Sequence, residues 1–252
     1  MFKDYPSYLT PYLKPFDPIE LANRTEKIVM KENSRKYTDF YCTGVYGGIS
    51  TGYTVGCCLR CIFCWVNWSR DFPFTIGNFF SPQQVFNKLF ENARKKRVRK
   101  MRISGGEPTL CQNHLLSVLD LIDETNFLFI LETNGILFGE DKNYVNKLKK
   151  YKNIHVRVSL KAGTPEGFEQ RTGAIGIFYE LPYKAIENLK QAGISFHVAA
   201  MSDSRLMSGL ERKAMLEKLS FIGYNDYLEE EICDPYPASV IRLEKAEYKL
   251  KF

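Results

Sequence analysis

The chain has 252 residues, 44% of them hydrophobic and 25% charged, and 35 Lys+Arg against 29 Asp+Glu give a formal net charge of +6. These are ordinary globular values that exclude wholesale disorder, and the longest apolar stretch, Phe127 to Leu131, falls far below the roughly 18–20 residues that span a bilayer, so no membrane is expected. The mild cationic excess permits an anionic partner without demanding one. Residues 1–45 are rich in Tyr, Pro and Lys and read as an N-terminal extension, with extended backbone at the prolines and one short helix over Ile19–Lys31. From about residue 46, short β-branched or aromatic runs alternate with longer amphipathic stretches. Strands are expected at Gly48–Val55, Lys100–Ser104, Phe127–Glu132, Ile154–Leu160 and Ser195–Met201. Helices are expected at Pro82–Lys96, Gln112–Glu124, Lys142–Tyr151, Leu181–Gln191 and Ser208–Leu219. The first of them opens with Ser81-Pro82, an N-cap followed by Pro at the first helical position. This alternation implies right-handed βαβ units around a parallel sheet, doubly wound or an open barrel, with the chemistry at the carboxyl ends of the strands. Residues 231–252 are expected to pack on this body as a tail.

There are seven cysteines: Cys42, Cys57, Cys58, Cys61, Cys64, Cys111 and Cys233. An odd total with four crowded together is a poor disulfide framework. Met1 to Pro6 hold no apolar run followed by small residues, so no secretory signal is expected, and a cytoplasmic, reducing setting would keep the thiols free or metal-bound. Cys57, Cys61 and Cys64 form C-x-x-x-C-x-x-C at the carboxyl end of the first expected strand. Three thiolates on one loop can hold three corners of a cubic [4Fe–4S] cluster and leave the fourth iron open to a small molecule. Two other readings stand beside this one. A structural zinc site wants a second ligand pair, which is missing, and a closed electron-carrying cluster would need Cys111 or Cys233. Cys58 reads as packed. After the second expected strand comes Ser104-Gly105-Gly106-Glu107-Pro108, where the glycines let backbone approach a ligand closely and Glu107 offers a carboxylate to an ammonium group. The plain alternative is a strand-to-helix turn.

In this order and on these elements, the two motifs resemble the signatures of the radical S-adenosylmethionine (SAM) superfamily. The resemblance implies an α/β fold, a partial (β/α)6 barrel of the radical SAM type over about residues 46–230. It implies Cys57, Cys61 and Cys64 as ligands of a [4Fe–4S] cluster whose open iron chelates S-adenosyl-L-methionine, with Gly105, Gly106, Glu107 and Pro108 at the SAM ammonium. It further implies SAM contacts from Asn134, in Thr133-Asn134-Gly135 after the third strand, from Ser159 and Lys161 at the end of the fourth, and from Phe63 beside the adenine. Core packing or a turn is the plain alternative for each. The adenine-binding pattern frequent on the fifth strand is not recognisable. Residues Gly167 to Ala174, followed by a helix through Ala185, Ile186 and Leu189 to Gly193-Ile194, look like the pyruvate formate-lyase activating-enzyme branch. Trp65, directly after the last cluster cysteine, is similar to the wybutosine-synthesising RNA enzymes. The implied activity is an oxidoreductase-type reductive cleavage of SAM to a 5'-deoxyadenosyl radical that takes hydrogen from a substrate. A protein or peptide substrate is favoured, as for a glycyl-radical activase, with a flavodoxin or ferredoxin-like protein as reductant. The alternatives are a radical SAM RNA-modifying enzyme and a non-enzymatic metal-binding or electron-transfer module.

Three features remain. Arg94 to Arg102 carries seven cations in nine residues and reads as a solvated helix end or as a docking patch for phosphates or an acidic electron donor. Its run into the second strand places it away from the substrate. His114, His155 and His197 sit singly in different elements, without metal-ligand spacing. Cys42, Cys111 and Cys233 are too dispersed for a second cluster loop.

Overall fold

The computed structural model describes residues 4–250; Met1, Phe2, Lys3, Lys251 and Phe252 of the expected extension and tail lie outside the described residues. The extension begins its regular structure at Asp17, whose carboxylate accepts hydrogen bonds from the amides of Ile19 and Glu20 and so caps helix α1 (Pro18–Val29). Strands β1 (Met30–Lys31) and β2 (Ser34–Thr43) follow, and β2 runs antiparallel to β3 (Ile49–Thr54). The short β4 (Asn78–Phe80) pairs with the other edge of β2. Residues 34–43 were expected as part of an arm, yet they add a strand to the main sheet, which therefore continues across residue 45.

Helix α2 (Pro82–Lys96) has the expected bounds because its start is strongly encoded. The Ser81 side chain accepts from the Gln84 amide while the Gln84 side chain accepts from the Ser81 amide, a reciprocal capping box ahead of a proline. Its apolar face places Val85, Leu89 and Ala93 in the core. Full burial of an aliphatic side chain the size of Val85 or Leu89 is worth about 1.5–3 kcal/mol. The chain then alternates β5 (Lys100–Gly105), α3 (Gln112–Asp123), β6 (Leu128–Thr133), α4 (Ile136–Glu140), α5 (Lys142–Lys147), β7 (Ile154–Leu160), α6 (Pro165–Thr172), α7 (Glu180–Ala192), β8 (Phe196–Met201), α8 (Gly209–Phe221), β9 (Leu228–Glu231) and α9 (Pro237–Lys245).

Strands β3, β5, β6, β7, β8 and β9 are joined in that order by parallel pairing. Among the described residues β9 pairs only with β8, and β2 forms the far side, so the sheet stays open. The fold is mixed α/β with an open parallel sheet, the architecture of a partial barrel. Alternate strand residues divide the two faces. Ile103, Leu131, Val156, Val158, Val198 and Ala200 are buried in the hydrophobic core, whereas Arg102, Glu132, Arg157, His197 and Glu229 line the inner cavity. The strand β9 and the helices α4, α6 and α9 were not expected from the residues. Among the described residues no helix is long and apolar enough to cross a membrane.

Candidate active site

The chain leaves β3 through Gly56, at φ +86°, and enters the cysteine loop. Main-chain hydrogen bonds hang that loop on the last turn of α6: the Arg60 amide donates to the Thr172 carbonyl at 2.9 Å and the Ile62 amide to the Arg171 carbonyl at 3.0 Å. Thus part of the Gly167 to Ala174 segment is the shelf beneath the cysteines. The buried Arg60 guanidinium donates to the carbonyls of Cys57 and Leu59, and Leu59 and Ile62 are buried as anchors. Cys57, Cys61 and Cys64 all line one cavity of about 1050 Å³ at the carboxyl ends of the parallel strands. Cys58 is wholly buried and receives a hydrogen bond from Asn134 Nδ2 at 3.3 Å. A hydrogen bond with Cys58 lowers the Cys57 thiol and raises Cys58, while burial pushes the Cys61 thiol up to about 12.

The Gly-Gly-Glu-Pro turn lies directly against this loop. Gly105 takes φ +91°, and a Cβ on Gly106 would stand 2.0 Å from the Gly56 carbonyl oxygen, so only glycine allows the two backbones to meet. The Gly106 amide donates to Thr54 at 2.9 Å and the Glu107 amide to Gly56 at 2.8 Å. The Glu107 side chain is 3% exposed and accepts four bonds: from the Thr109 amide at 3.1 Å, the Thr109 and Thr133 hydroxyls at 2.7 Å each, and the Asn134 amide at 2.8 Å. The turn is therefore a joint between the ends of β3, β5 and β6 as well as a wall of the cavity.

The other residues singled out in the sequence converge on the same space. Asn134 lines the cavity and turns its amide nitrogen toward the sulfurs of Cys57 and Cys58. Lys161 donates to Ser159 Oγ at 2.5 Å and lies 6.0 Å from the Phe63 ring centroid, and all three line the cavity. Pro108 does not line it; its carbonyl is tied back to Arg35.

Deeper in the barrel lies a layer of charge that the sequence reading did not reveal. Arg102 Nη1 meets Glu132 Oε1 at 2.7 Å, the same oxygen accepts from Tyr46 at 2.8 Å, and Ser104 Oγ donates to Glu132 Oε2 at 2.6 Å. Arg157 lies between Glu229 at 2.9 Å and Glu231 at 2.8 Å, with Ser159 Oγ 3.2 Å from Glu231. Arg102 corrects the expectation that the basic run stays away from the substrate: Arg94 to Lys96 end α2, but strand alternation turns Arg102 into the cavity. His155 and His197 are not isolated either. Parallel pairing of β7 and β8 brings Nε2 of His155 within 2.7 Å of Nδ1 of His197, whose Nε2 reaches Glu229 at 2.9 Å. The signal was their matching place near the start of two neighbouring strands. At the mouth, Tyr41, Trp65, Tyr227, Ile232 and Tyr236 are exposed around the opening.

Thiolates are the usual ligands of iron–sulfur clusters, and three thiols around one cavity fit such a group. Neither Cys111 nor Cys233 lines this cavity to close a fourth corner. Among the described residues no group of three His, Cys, Asp or Glu side chains could hold a single metal ion. The site and the open sheet together define a partial-barrel α/β protein with a thiol-lined cavity. Residues 52–202, more than half of the chain, match the family model of the Radical SAM superfamily, and the chain belongs to that superfamily. Its members use a [4Fe–4S] cluster and SAM and require a reductant. A probable GTP 3',8-cyclase of Methanococcus maripaludis is 32% identical over 143 residues, covering 56% of this chain and 45% of that protein. A Methanocaldococcus jannaschii protein named for glycyl-radical enzyme activation is 32% identical over 109 residues, covering 43% and 38%. The chain thus spans less than half the length of these curated relatives. Among solved structures, Streptococcus suis SuiB bound to S-adenosylmethionine has a similar fold, with TM-score 0.59 and 17% identity over 79% of this chain and 42% of that one.

Proposed function

We propose that Cys57, Cys61 and Cys64 ligate the [4Fe–4S] cluster and that this enzyme takes hydrogen from a polypeptide substrate, as a glycyl-radical activase does. The observation that carries the substrate class is the pairing of the cavity's cations. Arg70 is held by Asp71, Arg102 by Glu132, and Arg157 by Glu229 and Glu231. Lys161, the remaining cavity-lining cation, makes no direct ion pair among the described residues, but it donates to Ser159, which donates to Glu231, and its charge acts on that carboxylate. A nucleoside triphosphate or an RNA backbone wants several available cations. A polypeptide wants donors and acceptors together with aromatic surface, which the paired floor and the mouth provide.

Bound in this cavity, the cluster and SAM would supply one-electron reductive cleavage of the sulfonium, with a flavodoxin or ferredoxin-like protein as electron source. The chain's own residues prepare that step. The three thiols must each give up a proton on loading, and burial raises that cost at Cys61. Gly105, Gly106 and Glu107 form the wall that takes the SAM ammonium, with Pro108 fixing the turn behind them. Asn134 is placed to donate to cluster-side sulfur, while Lys161, Ser159 and Phe63 form a second wall for the carboxylate, ribose and adenine. Tyr41, stacked on Tyr53 at 4.6 Å, and Trp65, edge-on to Tyr53 at 6.2 Å, screen the mouth from water.

Anaerobic reconstitution tests the reading. The wild-type chain is expected to hold about four irons and to release 5'-deoxyadenosine from SAM on reduction, and Cys61→Ala to lose both. A Cys61→Ala protein that kept iron and cleavage would overturn the ligand assignment. Deuterium passing into 5'-deoxyadenosine from a labelled glycine-containing polypeptide supports the substrate class. Transfer from GTP or RNA alone would overturn it.

A further inference from the structure

Arg242 belongs to α9, outside residues 52–202 that match the family model, and it is 2% exposed. A guanidinium this deep costs several kcal/mol unless its donors are answered. Here the answers come from one short segment. Nη1 donates to the carbonyls of Cys64 and Val66, Nη2 to the Asn67 carbonyl at 3.0 Å and to the Asp71 carboxylate, and Nε to Asp71 at 3.2 Å. Asp71 is fully buried and also binds Arg70 through Nε at 2.9 Å. Arg70 Nη1 in turn donates to the Cys61 carbonyl at 2.6 Å. The Trp68 ring lies 5.8 Å from the Arg242 guanidinium carbon. One buried triad, Arg70–Asp71–Arg242, thus grips the main chain at both Cys61 and Cys64.

The chemistry of the grip explains the residue type. Five N–H donors in a planar fork reach three carbonyls and a carboxylate at once, which an ammonium cannot do. Helix α9 is itself locked in place: Ala238, Ser239 and Leu243 are buried, and Ser239 Oγ donates to the carbonyls of Asp234 and Tyr236. Two guanidiniums against one carboxylate leave a net positive charge directly behind a loop of thiol ligands. Charge and hydrogen bonding around a cluster set its potential.

We propose that Arg242 is a positioning residue of the cofactor site: from the C-terminal helix it holds the second and third cysteines in place for the cluster and puts behind them a positive charge that favours the reduced state. This rests on Cys57, Cys61 and Cys64 being the cluster ligands. The full chain is reconstituted as wild type, Arg242→Met, Arg242→Lys and Leu243→Ala. Arg242→Met is expected to lose iron to ferrozine roughly 10-fold faster, the lower end for a lost outer-shell partner, and to show a lower midpoint in an EPR-monitored redox titration. In cluster-free protein its amides across residues 64–71 should exchange faster. Arg242→Lys, which keeps the charge and loses the fork, should restore the midpoint but not the iron retention. Leu243→Ala loosens the helix without touching the guanidinium, so it should leave the midpoint unchanged. Wild-type iron loss and midpoint in Arg242→Met would overturn the proposal, as would a midpoint lowered equally by Leu243→Ala. If Arg242→Met does not fold, Arg242→Lys decides alone, wild-type amide exchange and iron loss counting against it. A wild-type chain that takes up no iron would instead refute the ligand assignment, whereas the exchange measurement reads the grip without any cluster.

Discussion

The cysteine loop and the barrel interior between β7 and β9 are built by opposite means. The loop is fixed through its main chain: amides of Arg60 and Ile62 on the end of α6, the Gly56–Gly106 backbone contact, and arginines that bind carbonyls rather than the thiols. The interior adds side-chain pairs to the parallel ladder of β7, β8 and β9, with Arg157 between Glu229 and Glu231 and a histidine pair ending on Glu229. Bonds to the main chain hold the loop while leaving its thiols unengaged, so they suit a cofactor site that must not move. Side-chain pairing can be rewired without moving the sheet, so it suits the half of the cavity that selects a substrate.

The largest break comes from the backbone joint. A Gly106→Ala substitution puts a methyl group 2.0 Å from the Gly56 oxygen and 3.0 Å from its carbonyl carbon, contacts that only movement of β3 or β5 can relieve. It should cost about 3 kcal/mol or more in denaturant unfolding and abolish iron uptake on reconstitution. Wild-type loading in this variant would show that the joint does not set the cysteine geometry. Arg157→Met should act on the other half. It leaves Glu229 and Glu231 without their shared cation, at a cost of about 2 kcal/mol, below the fully buried range because both carboxylates are partly exposed. Hydrogen exchange should rise in β9, an edge strand paired only to β8 among the described residues, while iron content stays at the wild-type level. Loss of iron would show that the two halves are coupled.

What the residues announced in advance divides along the same line. The α2 bounds and the ends of the parallel strands were readable because caps and apolar periodicity are local signals, and the cysteine spacing is local as well. The interior was not, because its partners are far apart in the chain: Arg102 and Glu132 are 30 residues apart, and Arg157 and Glu229 are 72 apart. The face rule also misleads here. Inward positions in a strand normally read as apolar, but this barrel's inner face is polar, so Leu228 to Glu231 reads as a loop although it pairs with β8 and meets Arg157 with its carboxylates. Strand β2 was hidden by being grouped with the proline-rich stretch before it, which ends at Pro18, although Tyr37 is buried and packs on Phe40 and His114. Nothing near residue 242 announces a contact with residue 64.

Acid separates the two halves more gently. Hydrogen bonding to Arg157 holds the Glu229 carboxyl down to about 2, and hydrogen bonding to Arg205 holds Asp203 down to about 2. A carboxyl depressed in the folded state adds stability that is complete above its unfolded value, near 4.5 for Glu229 and 3.8 for Asp203, and that fades as pH falls toward the folded value. Between about pH 4.5 and 2, the β8–β9 edge and the 203–234 connection should therefore loosen first. Partial exposure limits the Glu229 contribution to about 1 kcal/mol. Residue-resolved exchange at pH 3 should show opening at Cys233, whose amide donates to Asp203, before the amides of Arg60 and Ile62. The reverse order would refute the contrast between the halves.

The smallest effect concerns the histidine pair. Glu229 pairs with Nε2 of His197, Nδ1 of His197 and Nε2 of His155 share one hydrogen bond at 2.7 Å, and Nδ1 of His155 pairs with Ser195 Oγ at 2.8 Å. The rings lie nearly parallel with centroids 5.0 Å apart. Burial lowers the His155 pKa first, and repulsion from His197 lowers it further. A His197→Gln variant removes only the second cause, so the His155 value should rise part of the way back toward 6.5 without reaching it. Because a histidine depressed in the folded state loses stability as pH falls below its unfolded value, this variant should also flatten the stability loss just below pH 6.5. A ring-proton NMR titration of His155 reads the shift directly. No movement would mean that burial alone holds His155 neutral and that the contact between the rings carries no charge coupling.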